Sequence, residues 1–327
     1  PTGQAMELGI RLRERREELG MTAVGVGRDD LVVLPSMTFI ASANAISHCG
    51  ALPWLVDIDP ESWTLDPEQL SEVFRRETFT ENGRLIHRPT GRRVGAIVPV
   101  YTLGLPADMD PIVALAREHE VPVVADAAAA LGATYRGRRI GQLGADLSVI
   151  SFNGNKTVTA GGGGAIAGND TALMAKVRHL TTTARVNSDY EHDIVGFNYR
   201  MTNLQAAVGC GQMELLDEFV ARKRAIARRY EDALGGLSGL GGFPSPDWAE
   251  SACWFSGVTV SPERVSLTAL RARLRDAGVD ARAFWKPMHE QAPYRSCPRT
   301  GMSVTDTVAP TVLPLPCSTG LTDEEQD

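Results

Sequence analysis

The sequence predicts an α/β protein with a large, mostly parallel sheet and a smaller C-terminal domain. Three observations indicate this class. Short apolar, β-branched runs alternate with helix-like segments up to about residue 210 of the 327, as expected of repeated β-α-β units. These runs are continuously apolar, which is typical of strands buried on both faces. A break rich in Gly, Pro and Ser at 235–247 then precedes further strand- and helix-like segments, and this indicates a second domain.

Local sequence patterns predict the individual strands and helices. In a helix over 66–77, Asp66 is the predicted N-cap and Pro67 the first helical residue. The polar segment 79–93 carries Asn-Gly and Pro turn signals and predicts a surface hairpin. The remaining expectations are helices at 5–20, 41–50 and 110–120, strands at 53–58, 94–101, 121–127 and 147–152, and a short β-branched run within 30–39 that Pro35 stops.

A change of pattern near residue 211 places the domain boundaries. We expect a large domain over 1–210, a connecting helix over 211–235 and a small domain over 236–327. The chain opens in mid-motif without a methionine, so we expect the natural chain to begin upstream, with the N-terminal part of the large domain truncated.

Composition excludes several classes of function. The net charge of −7 argues against a nucleic acid or an anionic membrane as the partner. The basic clusters at 11–20 and 221–234 interleave acidic residues at helical spacing, and we interpret them as solvated helix faces. Five cysteines occur singly, which indicates a reducing cytoplasm and predicts neither disulfides nor a metal site. We find no signal peptide and no apolar run of membrane-spanning length.

The stretch 146–170 contains the residue with the strongest chemical signal. An apolar segment ends at Phe152, a turn of small polar residues holds Lys156, and four glycines follow at 161–164. A lysine on such a turn at a buried strand end is placed where a desolvated amine can serve as a Schiff-base nucleophile. The alternative is a surface lysine that snorkels from a hairpin. The stretch therefore suggests pyridoxal-phosphate chemistry without deciding it.

Further candidates lie where strands end, because parallel sheets bind ligands at the carboxyl ends of their strands. Asp126 ends an apolar strand, and a protonated pyridine nitrogen would offset the cost of burying its carboxylate. It could instead cap the Ala-rich segment that follows. Phe39 could stack on a planar cofactor or belong to the core. Gly3 and Gln4 lie at a predicted helix N-terminus, which suits a phosphate group.

Eight motifs are spread in order over nearly the whole chain. They are LPSMTFIASANAI, PVYTLGLPADMD, VVADAAAALGATYRGRRIG, SFNGNK, GGGG, NYRMTNLQAA, WKPMH and LPLPCSTGLTDEEQD. Their type and order resemble the DegT/DnrJ/EryC1/StrS aminotransferases. The resemblance implies a fold-type I pyridoxal-phosphate transferase with a seven-stranded, mostly parallel sheet flanked by helices and a smaller α+β domain. It also implies activity on nucleotide-linked keto sugars.

The resemblance also implies a role for individual residues. Lys156 would be the Schiff-base lysine and Asp126 the partner of the pyridine nitrogen, with Phe39 stacked on the ring and Ser151 bound to the phosphate. Asn198 matches an Asn that, in this family, reaches the phosphate from the neighbouring subunit. A cytoplasmic homodimer with shared active sites is therefore expected.

Two departures from the family pattern affect the predicted site. The chain reads Pro1-Thr2-Gly3-Gln4 where the family usually has Ser-Gly-Thr, so a hydroxyl expected near the phosphate is replaced. Ala129 stands where many members have a polar or aromatic residue, which predicts a larger cavity or a different contact. Lys156 is retained, whereas relatives that dehydrate or deoxygenate sugars carry His there, and this favours transamination.

The function implied by the resemblance is ping-pong transfer of an amino group from glutamate to a nucleotide-linked 4-keto-6-deoxyhexose, as in amino-sugar biosynthesis for surface polysaccharides or glycoconjugates. SFNGNK and WKPMH are similar to the branch that aminates C4, although C3 stays open. Lys286 and His289 are candidates for the nucleotide or sugar, or else an ordinary surface lysine and loop histidine. Arg200 could pair with a substrate phosphate or with a helix carboxylate.

Two other classes of function compete with this one. The fold could serve a non-catalytic binding or regulatory protein, since fold does not determine function. Alternatively, a pyridoxal-phosphate enzyme could act on amino acids, with an arginine such as Arg282 binding the α-carboxylate. The joint presence of Lys156, Asp126, Ser151 and Asn198 favours an enzyme, and we identify no C-terminal Arg motif for an amino-acid substrate.

Overall fold

The computed structural model describes residues 19–327. The expected phosphate ligands Gly3 and Gln4, and most of the helix expected over 5–20, lie outside this part. Within residues 19–327, no helix is both long and apolar enough to cross a membrane.

The secondary structure follows the predicted alternation. The strands of the described chain are β1 (Leu31–Pro35), β2 (Leu52–Val56), β3 (Thr78–Glu81), β4 (Arg84–His87), β5 (Arg92–Ile97), β6 (Val124–Asp126), β7 (Thr134–Tyr135), β8 (Arg138–Arg139), β9 (Leu147–Ser151), β10 (Gly164–Ala167), β11 (Leu240–Gly241), β12 (Ala249–Glu250), β13 (Ser256–Val260) and β14 (Val312–Leu315). The helices are α1 (Ile40–His48), α2 (Pro67–Glu77), α3 (Met109–Glu118), α4 (Thr171–Thr181), α5 (Asn203–Met213), α6 (Leu216–Leu234), α7 (Leu267–Asp276), α8 (Ser303–Val308) and α9 (Asp323–Gln326).

The central sheet is mostly parallel, as predicted. Strands β2, β1 and β5 pair in parallel, and β6 pairs in parallel with β9, while β10 is antiparallel to β9. Parallel bridges from Ile97 to Val123 and from Val100 to Asp126 join β5 to β6. The order across the sheet is therefore β2-β1-β5-β6-β9-β10. The described residues supply six strands to this sheet, where the family resemblance implied seven.

Helices cover both faces of the sheet, and the central strands are buried accordingly. Every residue of β1 is buried, which explains its continuous apolar sequence. One apolar cluster lies under α2 and α3, and a second lies under α1 and α4. Asp66 caps α2 as predicted, because its Oδ1 accepts hydrogen bonds from the backbone N–H groups of Glu68 and Gln69 at 2.9 and 3.0 Å.

The polar segment after α2 forms the predicted hairpin. Strands β3 and β4 are antiparallel and join at a two-residue loop between Glu81 and Arg84. Asn82 and Gly83 both have positive φ, 51° and 73°, as a type I′ turn requires. Strand β5 then pairs antiparallel with β4, so the hairpin extends from the central sheet.

The C-terminal part of the chain forms a second, smaller sheet. Strands β11, β13 and β14 are antiparallel and share an apolar cluster with α7. The helical stretch before this sheet differs from the single connecting helix expected over 211–235. Residues in this region form α5 and α6 instead, which are separated at Glu214 and Leu215. The domain limits at residues 210 and 235 stay a prediction.

The buried carboxylate of Asp57 fastens the segment after α7 to the central sheet. Asp57 is fully buried just beyond β2. Its Oδ2 accepts a hydrogen bond from the Val304 N–H at 2.8 Å, and its Oδ1 accepts from the N–H and the hydroxyl of Thr305 at 2.9 and 2.6 Å. Leu55 in β2 also forms a parallel bridge with Arg299. The C-terminal segment therefore extends the edge of the sheet.

Replacing Asp57 with Ala is expected to lower the free energy of unfolding by about 3 kcal/mol, because donors at the start of α8 lose their buried acceptor. Asp66→Ala is the matched control, since it removes an acidic cap from a partly exposed helix start, at a cost of about 1 kcal/mol. Urea unfolding of both variants measures the difference. An equal loss in the two variants would contradict the proposed role of Asp57.

Candidate active site

The carboxylate of Asp126 is buried at the carboxyl end of β6. Asp126 is 2% exposed. Its Oδ2 accepts a hydrogen bond from the Ser42 hydroxyl of α1 at 2.7 Å, and its Oδ1 accepts from the Ala128 N–H at 3.1 Å. The contact with Ala128 is the local capping interaction that the sequence analysis gave as the alternative role of Asp126. The contact with Ser42 comes from a helix that is distant in the chain, and it fixes the orientation of the carboxylate.

Tyr101 lies beside this carboxylate and was given no role in the sequence analysis. Its backbone N–H donates to the Asp126 carbonyl at 2.9 Å. Burial and the nearby negative charge of Asp126 raise the pKa of the Tyr101 hydroxyl well above its usual range. The hydroxyl is therefore protonated at any physiological pH, and it finds no hydrogen-bond partner within residues 19–327.

Lys156 lies in a turn just beyond β9, the strand next to β6. Its backbone N–H donates to the Asn153 carbonyl at 3.0 Å, which closes the turn. Its Nζ is buried and lies 3.3 Å from the centroid of the Trp254 ring. This position differs from that of a snorkelling surface lysine. The adjacent Thr157 hydroxyl is also buried and has no hydrogen-bond partner in the described chain.

Trp254 is the main residue of this site that sequence reasoning missed. It is 3% exposed, and its indole N–H donates to the Asn155 carbonyl at 2.7 Å. Its ring stacks on Phe255 with centroids 4.0 Å apart and planes at 15°. Its carbonyl accepts from the buried Nζ of Lys223 at 3.0 Å. The only signal in the sequence was an aromatic pair in an apolar run, which does not reveal contact with Lys156.

Strained backbone holds Trp254 against the loop after β5. The Trp254 N–H donates to the Leu103 carbonyl, and the Ala252 N–H donates to the Gly104 carbonyl, at 3.0 and 2.9 Å. Leu103 and Cys253 both have positive φ, 59° and 50°, which costs of order 1 kcal/mol for each. A Cβ on Gly104 would lie 3.0 Å from the Trp254 nitrogen, so this close approach requires glycine.

Phe39 belongs to the same aromatic group. It is half-buried at the N-cap of α1, and its ring lies 5.9 Å from that of Trp285 at an angle of 57°. Trp285 in turn lies 6.0 Å from Trp254. Phe39 therefore connects through two indole rings to the lysine. Its expected stacking on a cofactor stays a prediction.

Ser151 ends β9 on the same edge of the sheet as Asp126. Asp126 pairs with Val149, so Ser151 lies two residues, or roughly 7 Å, further along the strand direction. Ser151 is 2% exposed, and its hydroxyl accepts from the Asn153 N–H at 3.3 Å. Three of the predicted residues, Asp126, Ser151 and Lys156, are thus gathered at the ends of two neighbouring strands.

Asn198 and Arg200 lie elsewhere, on an exposed segment after α4. Both residues are exposed, and neither side chain makes a hydrogen bond or an ion pair with residues 19–327. Asn198 forms an antiparallel bridge with Thr182, and Phe197 stacks on Tyr199 with centroids 4.8 Å apart. This segment is therefore ordered by its backbone, and the two predicted side chains face outward.

Lys286 and His289 occupy different environments. Lys286 is exposed and lies 3.6 Å from a Glu290 carboxylate oxygen. His289 is mostly buried, with Nδ1 2.7 Å from the Ser36 hydroxyl and Nε2 2.9 Å from an Asp306 carboxylate oxygen. Both ring nitrogens are thus engaged within the chain, and His289 fastens its segment to the end of β1. It is not an ordinary loop histidine.

Solved structures define the class of protein. A DegT/DnrJ/EryC1/StrS aminotransferase from Brucella abortus has a TM-score of 0.86 at 26% identity, covering 96% of this chain and 81% of that one. DesV from S. venezuelae has a TM-score of 0.84 at 31% identity, covering 96% and 80%. The fold is that of the fold-type I aminotransferases, as the sequence predicted.

Sequence comparison identifies the family. A profile of the DegT/DnrJ/EryC1/StrS aminotransferase family matches residues 17–327. GDP-perosamine synthase of Caulobacter vibrioides is 37% identical over 319 residues, covering 94% of this chain and 80% of that protein. The putative pyridoxal phosphate-dependent aminotransferase EpsN of Bacillus subtilis is 35% identical, covering 98% and 78%. The chain belongs to the DegT/DnrJ/EryC1/StrS family and is an enzyme.

Removing the Trp254 ring is expected to expose the Lys156 amine. In Trp254→Ala, Lys156 of the cofactor-free protein should react faster with acetic anhydride, because the indole that covers Nζ is gone. Peptide mapping by mass spectrometry gives the rate at this lysine. Trp248→Ala is the matched control, since that indole packs on Tyr135 at 5.5 Å. An unchanged rate in Trp254→Ala would show that the ring does not shield the amine.

Proposed function

We propose that the chain is a pyridoxal-phosphate-dependent aminotransferase that transfers the amino group of glutamate to C4 of a nucleotide-linked 4-keto-6-deoxyhexose. The observation that carries the proposal is the convergence of a buried lysine amine and a buried carboxylate at the ends of β9 and β6. Such a pair suits a cofactor that needs an amine at one end and an anion at its ring nitrogen.

The residues present fit pyridoxal phosphate. The Asp126 carboxylate, fixed by Ser42, would face the ring nitrogen, and Phe39 would contact the ring. Ser151 and the buried hydroxyl of Thr157 would donate to the phosphate, which would give Thr157 the partner that the described chain does not supply. When bound, the cofactor supplies an electron sink for the negative charge that develops at the substrate carbon.

The side chains divide the remaining chemistry between them. Lys156 Nζ takes the proton from the Cα of glutamate and later delivers a proton to the sugar carbon that is aminated. The Asp126 carboxylate would hold a proton at the ring nitrogen, because a nearby negative charge favours the protonated form of a base. The Trp254 ring covers the Lys156 amine and Trp285 packs beside Trp254, which limits the access of water to the amine during proton transfer.

The names of relatives support an amino-sugar product. Proteins 37%, 35% and 30% identical to this chain are named GDP-perosamine synthase. DesI, solved in the presence of its TDP-sugar product, is 28% identical with a TM-score of 0.82. These names favour a nucleotide-linked sugar. Preference for C4 over C3 rests on the SFNGNK and WKPMH motifs.

A second candidate substrate class follows from another relative. L-Glutamine:2-deoxy-scyllo-inosose aminotransferase of Micromonospora echinospora is 31% identical to this chain. Its name gives a different amino donor and an acceptor that is not a nucleotide sugar. Assays should therefore compare glutamate with glutamine, and 4-keto and 3-keto nucleotide sugars with 2-deoxy-scyllo-inosose.

The exposed side chains of Lys286 and Arg200 would bind the substrate phosphate. Replacing either residue with Ala would therefore raise KM only for nucleotide-linked acceptors.

Lys156→Ala is expected to abolish transamination, because no other group supplies the amine and the proton transfer at this position. With pyridoxal phosphate, the unmodified chain should develop a visible absorbance band that glutamate bleaches, and borohydride should fix the cofactor on Lys156. Lys176→Ala, which changes an exposed lysine of α4, should retain both properties. Turnover by Lys156→Ala would overturn the assignment, while cofactor binding without turnover by the unmodified chain would indicate a binding protein.

An exposed apolar surface surrounds Asn198. Tyr190, Ile194 and Val195 are 74%, 50% and 91% exposed, and Leu204 is 77% exposed. Large apolar side chains that are this exposed and lie this close together in the chain are typical of protein interfaces. We propose that a second copy of the chain covers it and that Asn198 reaches the cofactor phosphate of that copy.

Mixing two inactive variants tests whether the active sites are shared. Lys156→Ala and Asn198→Ala should each be inactive as homodimers. After co-refolding, half the dimers are mixed, and each mixed dimer has one site with both native residues. Activity should therefore return to about a quarter of that of the unmodified enzyme. If Asn198 served its own subunit, mixing would restore nothing.

A further inference from the structure

A cavity of about 660 Å³ lies between α6, the small C-terminal sheet and the loop after β5. Its size is within the range of small-molecule sites. Its walls contain none of the residues proposed for the cofactor or the sugar. The wall from α6 belongs to the segment 221–234, which we interpreted from the sequence as a solvated helix face. The structure shows that one side of this helix faces the cavity instead.

The cavity offers aromatic surface on one side. The rings of Trp63 and Phe243 lie 5.4 Å apart at 59°, and Phe255 is a further aromatic in the wall. Phe243 and Phe255 are half-buried, so part of each ring is accessible to a planar ligand, whereas Trp63 is buried. Ser256 also lines the cavity, and its buried hydroxyl has no hydrogen-bond partner within residues 19–327.

The part of the wall that comes from α6 carries charges of both signs. Arg224 pairs with Glu250 at 3.6 Å and donates to the Ser251 carbonyl at 2.9 Å. Arg228, one turn further on, is exposed and makes no hydrogen bond or ion pair with any described residue. Glu231 follows at the next turn and also lines the cavity. A guanidinium suits a phosphate, and a carboxylate accepts hydrogen bonds from hydroxyl groups.

We propose that this cavity is a second ligand site that binds a mononucleotide. The base would pack against Trp63, Phe243 and Phe255, the phosphate would pair with Arg228, and the ribose hydroxyls would donate to Glu231. The three chemical parts of a mononucleotide correspond to the three kinds of wall. A purely apolar ligand would leave both charged side chains unused.

The cavity borders the catalytic lysine without including it. Phe255 in the cavity wall stacks on Trp254, and Trp254 covers the Lys156 amine. Leu103, also in the wall, accepts the hydrogen bond of the Trp254 N–H. A bound nucleotide therefore contacts the residues that position Trp254 from the side opposite Lys156.

Binding of AMP, GMP, UMP and TMP to the pyridoxal-phosphate-loaded chain, measured by isothermal titration calorimetry, tests the proposal. At least one of them should bind with one-to-one stoichiometry, and Arg228→Ala should weaken that binding by about tenfold or more, since a charge-assisted contact is lost. Gly242→Leu should abolish it, because Gly242 lines the cavity and a Cβ there meets no atom within 4 Å, so the added side chain occupies open space.

Two matched control variants test whether the cavity itself holds the nucleotide. Arg229→Ala changes the neighbouring arginine, which pairs with Asp327 and Asp323, and Gly236→Leu adds the same side chain at an open position outside the cavity. Both should bind the nucleotide normally. The proposal is wrong if none of the four nucleotides binds, or if Arg228→Ala and Gly242→Leu leave the affinity unchanged. Binding weakened by Lys286→Ala and by neither cavity variant would place the nucleotide in the substrate site and equally overturn it.

Discussion

The contact between the Trp254 indole and the Lys156 amine depends on several parts of the fold at once. The lysine comes from the turn beyond β9, whereas the indole comes from the segment that enters the small C-terminal sheet. The Trp254 carbonyl is held by Lys223 of α6, and its N–H by the loop after β5. A shift in any of these elements would change how the indole covers the amine, because a close-packed interior transmits strain.

The return of the chain to the central sheet completes the surroundings of this contact. Asp57 anchors the start of α8, and His289 bridges Ser36 to Asp306. Between the small sheet and these anchors runs the segment with Trp285, whose ring lies between those of Phe39 and Trp254. The aromatic surroundings of the lysine are thus built from both ends of the chain. The hydrogen bonds of Asp57 and His289 specify the single arrangement in which these aromatic rings contact one another.

Sequence reasoning predicted those features that depend on local patterns. The parallel sheet, the Asp66 cap and the β3–β4 hairpin are confirmed, because each is specified by hydrophobic periodicity or turn residues close together in the chain. The fold class and family are confirmed as well. Most of the connecting helix expected over 211–235 is present as α6, which begins at Leu216 after a break at Glu214 and Leu215. The roles assigned to Asp126, Lys156 and the other site residues stay predictions.

By itself, the sequence determined which strands alternate with helices and which polar residues stand at strand ends, because these depend on neighbours a few residues apart. Only the tertiary structure decided that Trp254 covers Lys156, that His289 is an anchor, and that α6 forms a cavity wall. Such contacts join residues far apart in the chain, and the type of either residue does not predict which distant residue it contacts. Packing of the folded chain selects the partner, which is why these assignments require the structure.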